Sequence, residues 1–297
     1  MATSDAYTFL RLAAAIFVLS YASILDWRTR RIGNVYWIGL SVLGLILIPI
    51  QLLVDDQPIE YSLVLLPILA ILSDVYWDAG EGTPLAKIVP ALKYVIAIVA
   101  TIVLGYAWLG EPYFQHLLAV PLMMLFVVLM YMLDVIRGGA DAKAMLALSV
   151  LFPFYPEISS VPLIGIESEA SDVFFPFSFV VLVTAAIVVA FFPLGFAAKN
   201  LSAHEFKFPQ GLLGYKMNAD SIEGKHVWLM ERIDGSTHTI YTRPKPNEDL
   251  KKEVKLLVDA GVNRIWVTPK IPFIIPMLAA LVFSTIVGNI LLLVIQI

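Results

Sequence analysis

Residues 24–34 read ILDWRTRRIGN, and residues 137–143 read RGGADAK. Each stretch places an aspartate, Asp26 or Asp141, where an apolar run of membrane length meets a short basic loop. An ionisable side chain in a membrane helix costs about 2.5–3.5 kcal/mol at the helix centre, so it indicates a functional site by default. The two stretches therefore predict a membrane protein in which Asp26 and Asp141 form a catalytic pair, provided that both face the same side of the membrane.

The composition is that of a membrane protein. Of the 297 residues, 59% are hydrophobic and 15% are charged, whereas soluble domains are about 45–50% apolar and 25% charged. The chain has no cysteine, which excludes disulfides, thiol nucleophiles and cysteine metal sites. Its four histidines are scattered, and no two have the i, i+4 spacing of a helical metal site. We therefore expect neither a metal ion nor another cofactor.

Eight apolar runs approach the length that crosses a bilayer, which is about 20 residues for a helix. The sixth run is short, and we expect a tilted or partly embedded helix that continues past Pro153. The sequence thus predicts an α-helical polytopic membrane protein with about eight transmembrane helices. The runs cover residues 7–25, 35–54, 60–77, 86–109, 113–136, 142–154, 173–197 and 271–297.

The basic residues orient these runs, because Lys and Arg concentrate in cytoplasmic loops. With the N-terminus outside and eight crossings, the inside loops hold the Lys and Arg residues, and the outside segments hold acidic residues instead. Arg11, within the first run, breaks the pattern. This topology places Asp26 and Asp141 together at the cytoplasmic face of a multi-pass plasma-membrane protein. The inside residues of the short loops are Arg28, Arg30, Arg31, Lys87, Arg137 and Lys143.

A polar segment interrupts the apolar runs, and it predicts a small cytoplasmic α+β subdomain. Residues 227–233 and 237–242 are predicted to form two strands around Asp234-Gly235, a hairpin turn signal. Asn247 is predicted to cap a helix that ends at Gly261, with a third strand over residues 264–268. The charge balance is ordinary, so no nucleic-acid partner is expected. The predicted organisation is a transmembrane core over residues 1–198, this subdomain over 199–269 and a C-terminal transmembrane helix over 270–297.

Two neighbouring aspartates are suited to acid–base chemistry. At about 4 Å and an effective dielectric constant near 20, their repulsion is of order 4 kcal/mol, or roughly three pKa units. They therefore share one proton, which leaves one general base and one general acid at neutral pH. Such a pair activates a water against a peptide carbonyl and protonates the leaving amine, with no metal and no covalent intermediate. A plainer interpretation of Asp141 is that it caps the helix after a glycine loop.

Three motifs resemble those of the type IV prepilin peptidases, which are GxGD membrane aspartyl proteases. Gly138-Gly139-Ala140-Asp141 resembles their Gly-x-hydrophobic-Asp motif. Asp26 followed by Arg31-Ile32-Gly33-Asn34 resembles their first-aspartate motif, which usually ends in Arg-Ile-Pro-Asn, so Gly33 replaces the usual proline. Residues 267–276, VTPKIPFIIP, resemble the start of the last helix in archaeal preflagellin and prepilin peptidases.

The resemblance implies an aspartic endopeptidase that removes a short basic leader peptide from type IV pilin-like or archaellin precursors at the cytoplasmic face. It implies catalytic roles for Asp26 and Asp141, and it implies no cofactor. The stretch between the two acids is long compared with compact archaeal members, and it fits two additional helices of unassigned role. The motif and supporting residues expected around the pair are Gly138, Gly139, Ala140, Lys143, Arg31, Asn34 and Asp134.

Other polar residues carry weaker expectations. Asp134 lies seven residues before Asp141, on about the same face of a helix, and it is expected to support the site or to act as a rival acid. Lys143 is expected to damp the charge of Asp141 or to meet a lipid phosphate. The acidic residues near the inner end of the third run suit a basic leader peptide; these are Asp74, Asp78 and Glu81.

Two other functions stay open. Presenilin-like or signal-peptide-peptidase-like proteases cut within the bilayer, but they usually carry Tyr-Asp at the first acid and Pro-Ala-Leu after the second. Here Leu25 precedes Asp26, and Pro-Ala-Leu stands at residues 90–92, before Asp141. A proton-coupled transporter would use the acids as a relay, and it should show repeated halves with acids near mid-membrane. No clear repeat is visible, and these acids lie at the ends of the runs.

Overall fold

The computed structural model describes residues 2–77, 84–136, 138–158, 161–163, 173–235, 237–242 and 249–295. The chain forms two compact units. Unit 1 comprises Met1–Ala186 and Pro272–Ile297, and unit 2 comprises Ile187–Ile271.

All eight predicted apolar runs contain helix. A helix satisfies every backbone hydrogen bond within its own segment, which is what an apolar chain in lipid requires. A 3₁₀ turn, Ile59–Val64, leads into the third helix. In chain order the helices are α1 (Ala2–Thr29), α2 (Asn34–Val54), α3 (Leu65–Tyr76), α4 (Pro84–Trp108), α5 (Pro112–Met132), α6 (Gly139–Leu151), α7 (Phe177–Ala190), α8 (Phe192–Ser202), α9 (Gln210–Leu213), α10 (Leu250–Asp259), α11 (Ile274–Val287) and α12 (Ile290–Ile295).

The length and composition of these helices confirm a polytopic α-helical membrane protein. Within the described residues, five helical stretches are long and apolar enough to cross a membrane, and Leu92–Trp108 and Ile274–Val287 are shorter apolar helices. The sixth run is a helix of 13 residues that ends at Leu151, so it does not continue past Pro153 as predicted. The five stretches are Ala6–Thr29, Asn34–Val54, Ile59–Tyr76, Pro112–Met132 and Phe177–Ser202.

Helix α6 lies in the core of unit 1 and packs against α2 and α5. All its residues from Ala144 to Leu151 are buried. On the α2 side the approach is backbone to backbone, because a Cβ at Gly44 would lie 2.7 Å from the Val150 carbonyl oxygen. Only glycine lets two helices pack this closely. The position of α6 relative to α2 is therefore set by a residue that has no side chain.

Unit 2 is a small α+β unit, and it confirms the predicted subdomain of mixed structure. A three-stranded antiparallel sheet has the order β1–β5–β2, and β3 and β4 form a separate antiparallel hairpin. Tyr215 pairs with Val267, and Val227 pairs with Pro269. The strands are β1 (Tyr215–Asn218), β2 (Val227–Leu229), β3 (Glu231–Asp234), β4 (Thr237–Ile240) and β5 (Arg264–Pro269). The buried core of this unit consists of Ala219, Ile222, Val227, Leu229, Leu257, Ile265 and Val267.

The predictions for unit 2 are right in their elements and wrong in some boundaries. The hairpin turn at Asp234-Gly235 and the strand that begins at Arg264 are confirmed. The strand predicted over residues 227–233 is divided between two sheets, and β1 was not predicted. The prediction of Asn247 as the helix cap is wrong. Asn247 lies outside the described residues, and Asp249 is the cap, because its carboxylate accepts hydrogen bonds from the backbone N–H groups of Lys251 and Lys252.

Candidate active site

Asp26 lies in the last turn and a half of α1, just before the chain leaves the helix. Arg30 ends the helix with a left-handed backbone, φ +56°, while its N–H donates to the Asp26 carbonyl oxygen at 3.0 Å. Burial lowers the pKa of Arg30, and the nearby Asp26 opposes that shift. The first acid therefore lies beside a basic turn. Arg31, the motif residue that follows, is exposed.

Gly33 stands where the prepilin peptidase motif that this stretch resembles usually has proline, and its backbone is compatible with proline. Gly33 precedes α2 with φ −68° and ψ +147°. Proline fixes φ near −65°, and the first residues of a helix tolerate it. Gly33 thus has the conformation that the usual proline would impose, and Asn34 begins the helix in the position that the motif gives it.

Asp141 is the third residue of α6, and Gly138 is the residue before the helix. The interpretation of Asp141 as the helix cap is therefore wrong, since the side chain of a residue inside the first turn points along the helix surface. Asp141 is half-buried. A Cβ at Gly138 would lie 2.7 Å from the Asp141 Cγ, so any larger residue there would displace the carboxyl group. The motif glycine makes room for the acid.

The two predicted acids interact electrostatically. Burial and, to a lesser extent, the charge of the neighbouring Asp26 together raise the pKa of Asp141 from its ordinary value of 3.8 to about 7. Desolvation and a like charge both disfavour the ionised carboxylate. A carboxyl group that holds its proton near neutral pH beside a second carboxylate has the electrostatics of an acid–base pair.

A hydrogen bond links the two motifs directly. Lys143 Nζ donates to Asn34 Oδ1 at 2.9 Å. Lys143 follows Asp141 on α6, and Asn34 follows Asp26 at the start of α2. The structure thus brings together five of the predicted site residues: Asp26, Asp141, Gly138, Asn34 and Lys143. Lys143 was expected to damp the charge of Asp141 or to meet a lipid phosphate, and the structure shows that it also binds Asn34.

The prediction that Asp134 shares a helix face with Asp141 is wrong. Helix α5 ends at Met132, and Asp134 follows in a turn with φ +61°, exposed to solvent. The N–H group of Val135 donates to the Met130 carbonyl oxygen, which closes the helix end. The seven-residue spacing to Asp141 is therefore not a helical spacing. Of the remaining motif residues, Ala140 packs against the core, and Gly139 has only the Tyr131 hydroxyl near its missing Cβ, at 3.7 Å.

A cavity of about 530 Å³ lies beside α6 and is bounded by α3, α4 and α5. Gly139, Ala142 and Lys143 line it from α6. Asp74 lines it from α3, and its carboxylate accepts hydrogen bonds from Lys93 and Tyr94. Asp74 is thus already paired, which weakens its predicted role as a partner for a basic leader. Asp78 and Glu81 lie outside the described residues.

Sequence reasoning missed the Lys143–Asn34 bond and the cluster of Asp74, Lys93 and Tyr94. A single sequence carries no signal for either, because both join residues that are distant along the chain. Among the described side chains, no group of three or more His, Asp or Glu is placed to hold a metal ion.

One protein family and one characterised protein resemble this chain. Residues 207–290 match the family described as Archaeal Peptidase A24 C-terminus Type II, a match that includes neither aspartate. The preflagellin peptidase of Methanococcus voltae is 22% identical over 287 residues, which cover 93% of this chain and 94% of that protein. Both comparisons support the archaeal prepilin and preflagellin peptidase family. They also support the conclusion that the chain is a protease. Its apolar helices support an integral membrane protein.

Proposed function

We propose that this chain is a membrane aspartic endopeptidase that removes the short basic leader peptide from type IV pilin-like or archaellin precursors. The observation that carries the proposal is the half-buried Asp141, whose pKa is raised to about 7 next to Asp26. The similarity to a preflagellin peptidase supports the substrate class. The basic loop beside Asp26 supports a site that faces the cytoplasm.

In this mechanism Asp26 is the general base and Asp141 is the general acid. Asp26 takes a proton from a water molecule as the water oxygen attacks the scissile carbonyl carbon. Asp141 donates its proton to the leaving amine as the C–N bond breaks. Each turnover consumes one water and leaves the proton on Asp26, from which it returns to Asp141 through solvent. A shared proton makes both protonation states available at neutral pH.

Three residues position the pair. Gly138 leaves the space that the Asp141 carboxyl group occupies. Lys143 and Asn34 tie the start of α6 to the start of α2, and α2 follows the basic turn after Asp26. The apolar helix of the precursor remains in the membrane beside these helices, so its leader peptide reaches the acids from the cytoplasm. Unit 2 either docks the leader peptide or a partner protein, or stiffens the last two helices.

The direct test is leader removal by purified protein in detergent, without an ion gradient. A tagged archaellin or type IV pilin precursor is incubated with the parent protein, Asp26→Asn and Asp141→Asn. Asp56→Asn is the matched control, because Asp56 is exposed and asparagine tolerates its left-handed backbone, φ +51°. We expect cleavage by the parent and by the control, and none by the two site variants.

The outcomes separate the candidate functions. Cleavage that survives Asp26→Asn or Asp141→Asn removes that residue from the mechanism and makes Asp134 the next acid to replace. Cleavage inside the apolar segment of the substrate, instead of at the leader, selects the presenilin-like alternative. Absence of any cleavage by well-folded parent protein, combined with proton-dependent uptake in vesicles, selects the transporter.

A further inference from the structure

Arg11 is a charged residue inside a membrane helix and is not used by the proposed peptidase mechanism. It lies in the third turn of α1, in the half of the helix opposite to Asp26. At 1.5 Å per residue, about 22 Å of helix axis separates the two residues. Arg11 also breaks the charge pattern that orients the other basic residues. A buried cation in such a position calls for a partner.

The described part of the protein leaves Arg11 only partly partnered. Its side chain is 4% exposed, and its Nε and Nη2 atoms are buried without a hydrogen-bond partner. Asp55 acts on it electrostatically but forms no ion pair with it within 4.0 Å, and the Asp55 carboxylate accepts a 2.8 Å hydrogen bond from Tyr113. A buried unpaired donor costs about 1–3 kcal/mol, and more when it is charged.

The unpaired atoms define the kind of ligand that fits. Nε and Nη2 share one edge of the planar guanidinium group and point their N–H bonds in the same direction. This edge forms two parallel hydrogen bonds to a carboxylate or a phosphate. Gln51, next to it, has a buried Oε1 without a partner among the described residues, so a protonated or hydrated phosphate offers a donor there as well.

A cavity is present at this position. Arg11, Gln51, Thr8 and His116 line a space of about 240 Å³ together with aromatic residues from the segment after α6. A water molecule takes about 30 Å³ in the liquid, so the space exceeds what one or two waters need. Glu157, an acidic lining residue, is exposed to solvent, whereas Arg11 is buried.

We propose that the cavity around Arg11 binds a phosphate group, supplied by a lipid headgroup or by free phosphate, at the end of α1 remote from Asp26. Such a ligand neutralises the buried guanidinium group and fastens α1 to the segment that follows α6. The site does not depend on the peptidase reaction, and its occupancy is measured without substrate.

The test is ligand-dependent thermal stability of the delipidated full chain in detergent, followed by the fluorescence of its six tryptophans. Inorganic phosphate, dioctanoyl phosphatidylglycerol and dioctanoylglycerol are titrated separately, the last as a lipid without phosphate. The variants are Arg11→Gln, Arg11→Lys and the matched control Arg28→Gln, which removes an exposed arginine from the opposite end of the same helix.

We expect a saturable rise of Tm in the parent and in Arg28→Gln with a phosphate-bearing ligand. The half-saturating concentration should rise at least about tenfold in Arg11→Gln, which loses the charge. It should rise severalfold in Arg11→Lys, because lysine keeps the charge but cannot form the bidentate hydrogen bonds of the guanidinium group. A response to phosphatidylglycerol alone identifies the lipid headgroup, and a response to inorganic phosphate identifies the free ion.

Three results overturn the proposal. One is an equal rise of Tm with dioctanoylglycerol, which would show that only the acyl chains matter. Another is an unchanged dependence on the ligand in Arg11→Lys, the variant that retains the buried charge and folds most readily. The third is no rise of Tm with either phosphate-bearing ligand in the parent.

Discussion

Lys143 Nζ donates a hydrogen bond of 2.9 Å to Asn34 Oδ1, and the two residues are 109 positions apart in the chain. This bond joins the residues that follow Asp26 to those that follow Asp141. The relative position of the two acids thus depends on a contact between neighbours of the acids as well as on helix packing.

Breaking this bond should lower the rate of cleavage more than it lowers stability. We expect Lys143→Met and Asn34→Ala each to reduce kcat severalfold with little change in KM. The stability loss should be about 0.5–1 kcal/mol, because the pair is partly exposed. In a double-mutant cycle the two losses should not add, since either change removes the same bond. Enzyme kinetics and thermal unfolding measure both quantities.

Lys252→Met is the control for the loss of a lysine, because Lys252 is exposed on α10. Full additivity of Lys143→Met and Asn34→Ala in kcat would contradict the link between the two motifs.

The two glycines that precede Asp141, Gly138 and Gly139, should differ in their tolerance of alanine. A Cβ at Gly138 would lie 2.7 Å from the Asp141 Cγ, whereas a Cβ at Gly139 meets only the Tyr131 hydroxyl at 3.7 Å, an ordinary contact. We therefore expect Gly138→Ala to displace the acid and reduce kcat at least about tenfold, since small displacements of a catalytic group are costly. Gly139→Ala should stay within about twofold of the parent. Equal effects of the two substitutions in the cleavage assay would disprove the steric explanation.

The raised pKa of Asp141 should make stability depend on pH. Between its ordinary value of 3.8 and about 7, the folded protein holds a proton at this site that the unfolded chain has lost. The free energy of unfolding therefore falls as the pH rises through this interval, by roughly 4 kcal/mol at most. Asp141→Asn removes the cost of ionising a buried carboxyl group, because asparagine carries no charge. This variant should therefore unfold at a higher Tm than the parent at pH 8 and at nearly the same Tm at pH 4.

Thermal unfolding from pH 4 to pH 8 measures this difference, and Asp56→Asn provides the comparison at an exposed carboxylate. A constant difference in Tm between the parent and Asp141→Asn across that range would show that Asp141 titrates normally.

The left-handed backbone of Asp134 should decide which residues are accepted there. Its φ of +61° is tolerated by Asp, Asn and Gly, and it costs roughly 1–2 kcal/mol for other residues. We expect Asp134→Gly and Asp134→Asn to leave the Tm nearly unchanged, and Asp134→Val to lower it. A loss of cleavage in well-folded Asp134→Asn would instead show that its carboxylate takes part in the reaction.

Restoring the usual proline of the family motif should stabilise the protein. Gly33 already has φ −68°, and the atoms nearest to its missing Cβ are 3.8–3.9 Å away, in Val35 and Tyr36. Gly33→Pro should therefore fit the folded state while it reduces the freedom of the unfolded chain, for a gain of about 0.5–1 kcal/mol. Thermal unfolding should show a higher Tm with cleavage retained, and a lower Tm would mean that the Gly33 N–H group has a role in the native fold.

Much of the fold of this chain is readable from sequence, because apolar runs in lipid have few alternatives to helix. The runs at residues 35–54 and 113–136 are long and uniform, and each contains a helix. The end of α5 at Met132 is less predictable, since the left-handed turn at Asp134 replaces helix over residues that are still apolar. In unit 2 the Asp234-Gly235 dipeptide is a strong local signal for a turn. The short strand β1 carries no such signal, because it depends on pairing with the distant strand β5.

The candidate site divides in the same way. The two acids are conspicuous because each is charged at the end of an apolar run. The predicted topology led us to expect that they lie close together, and Asp26 does act electrostatically on Asp141. The Lys143–Asn34 bond and the pairing of Asp74 with Lys93 and Tyr94 depend on how helices meet in space. Neither periodicity nor a motif in a single sequence predicts such contacts between helices.

The absence of a side chain at Gly44 also affects where space is found beside α6. Because the α2 backbone at Gly44 touches the α6 backbone at Val150, no space is left between the two helices at this point. The 530 Å³ cavity lies beside the first half of α6 and is bounded by α3, α4 and α5. A peptide that approaches α6 therefore finds space between α6 and the helices α3, α4 and α5, and none between α2 and α6 at Gly44.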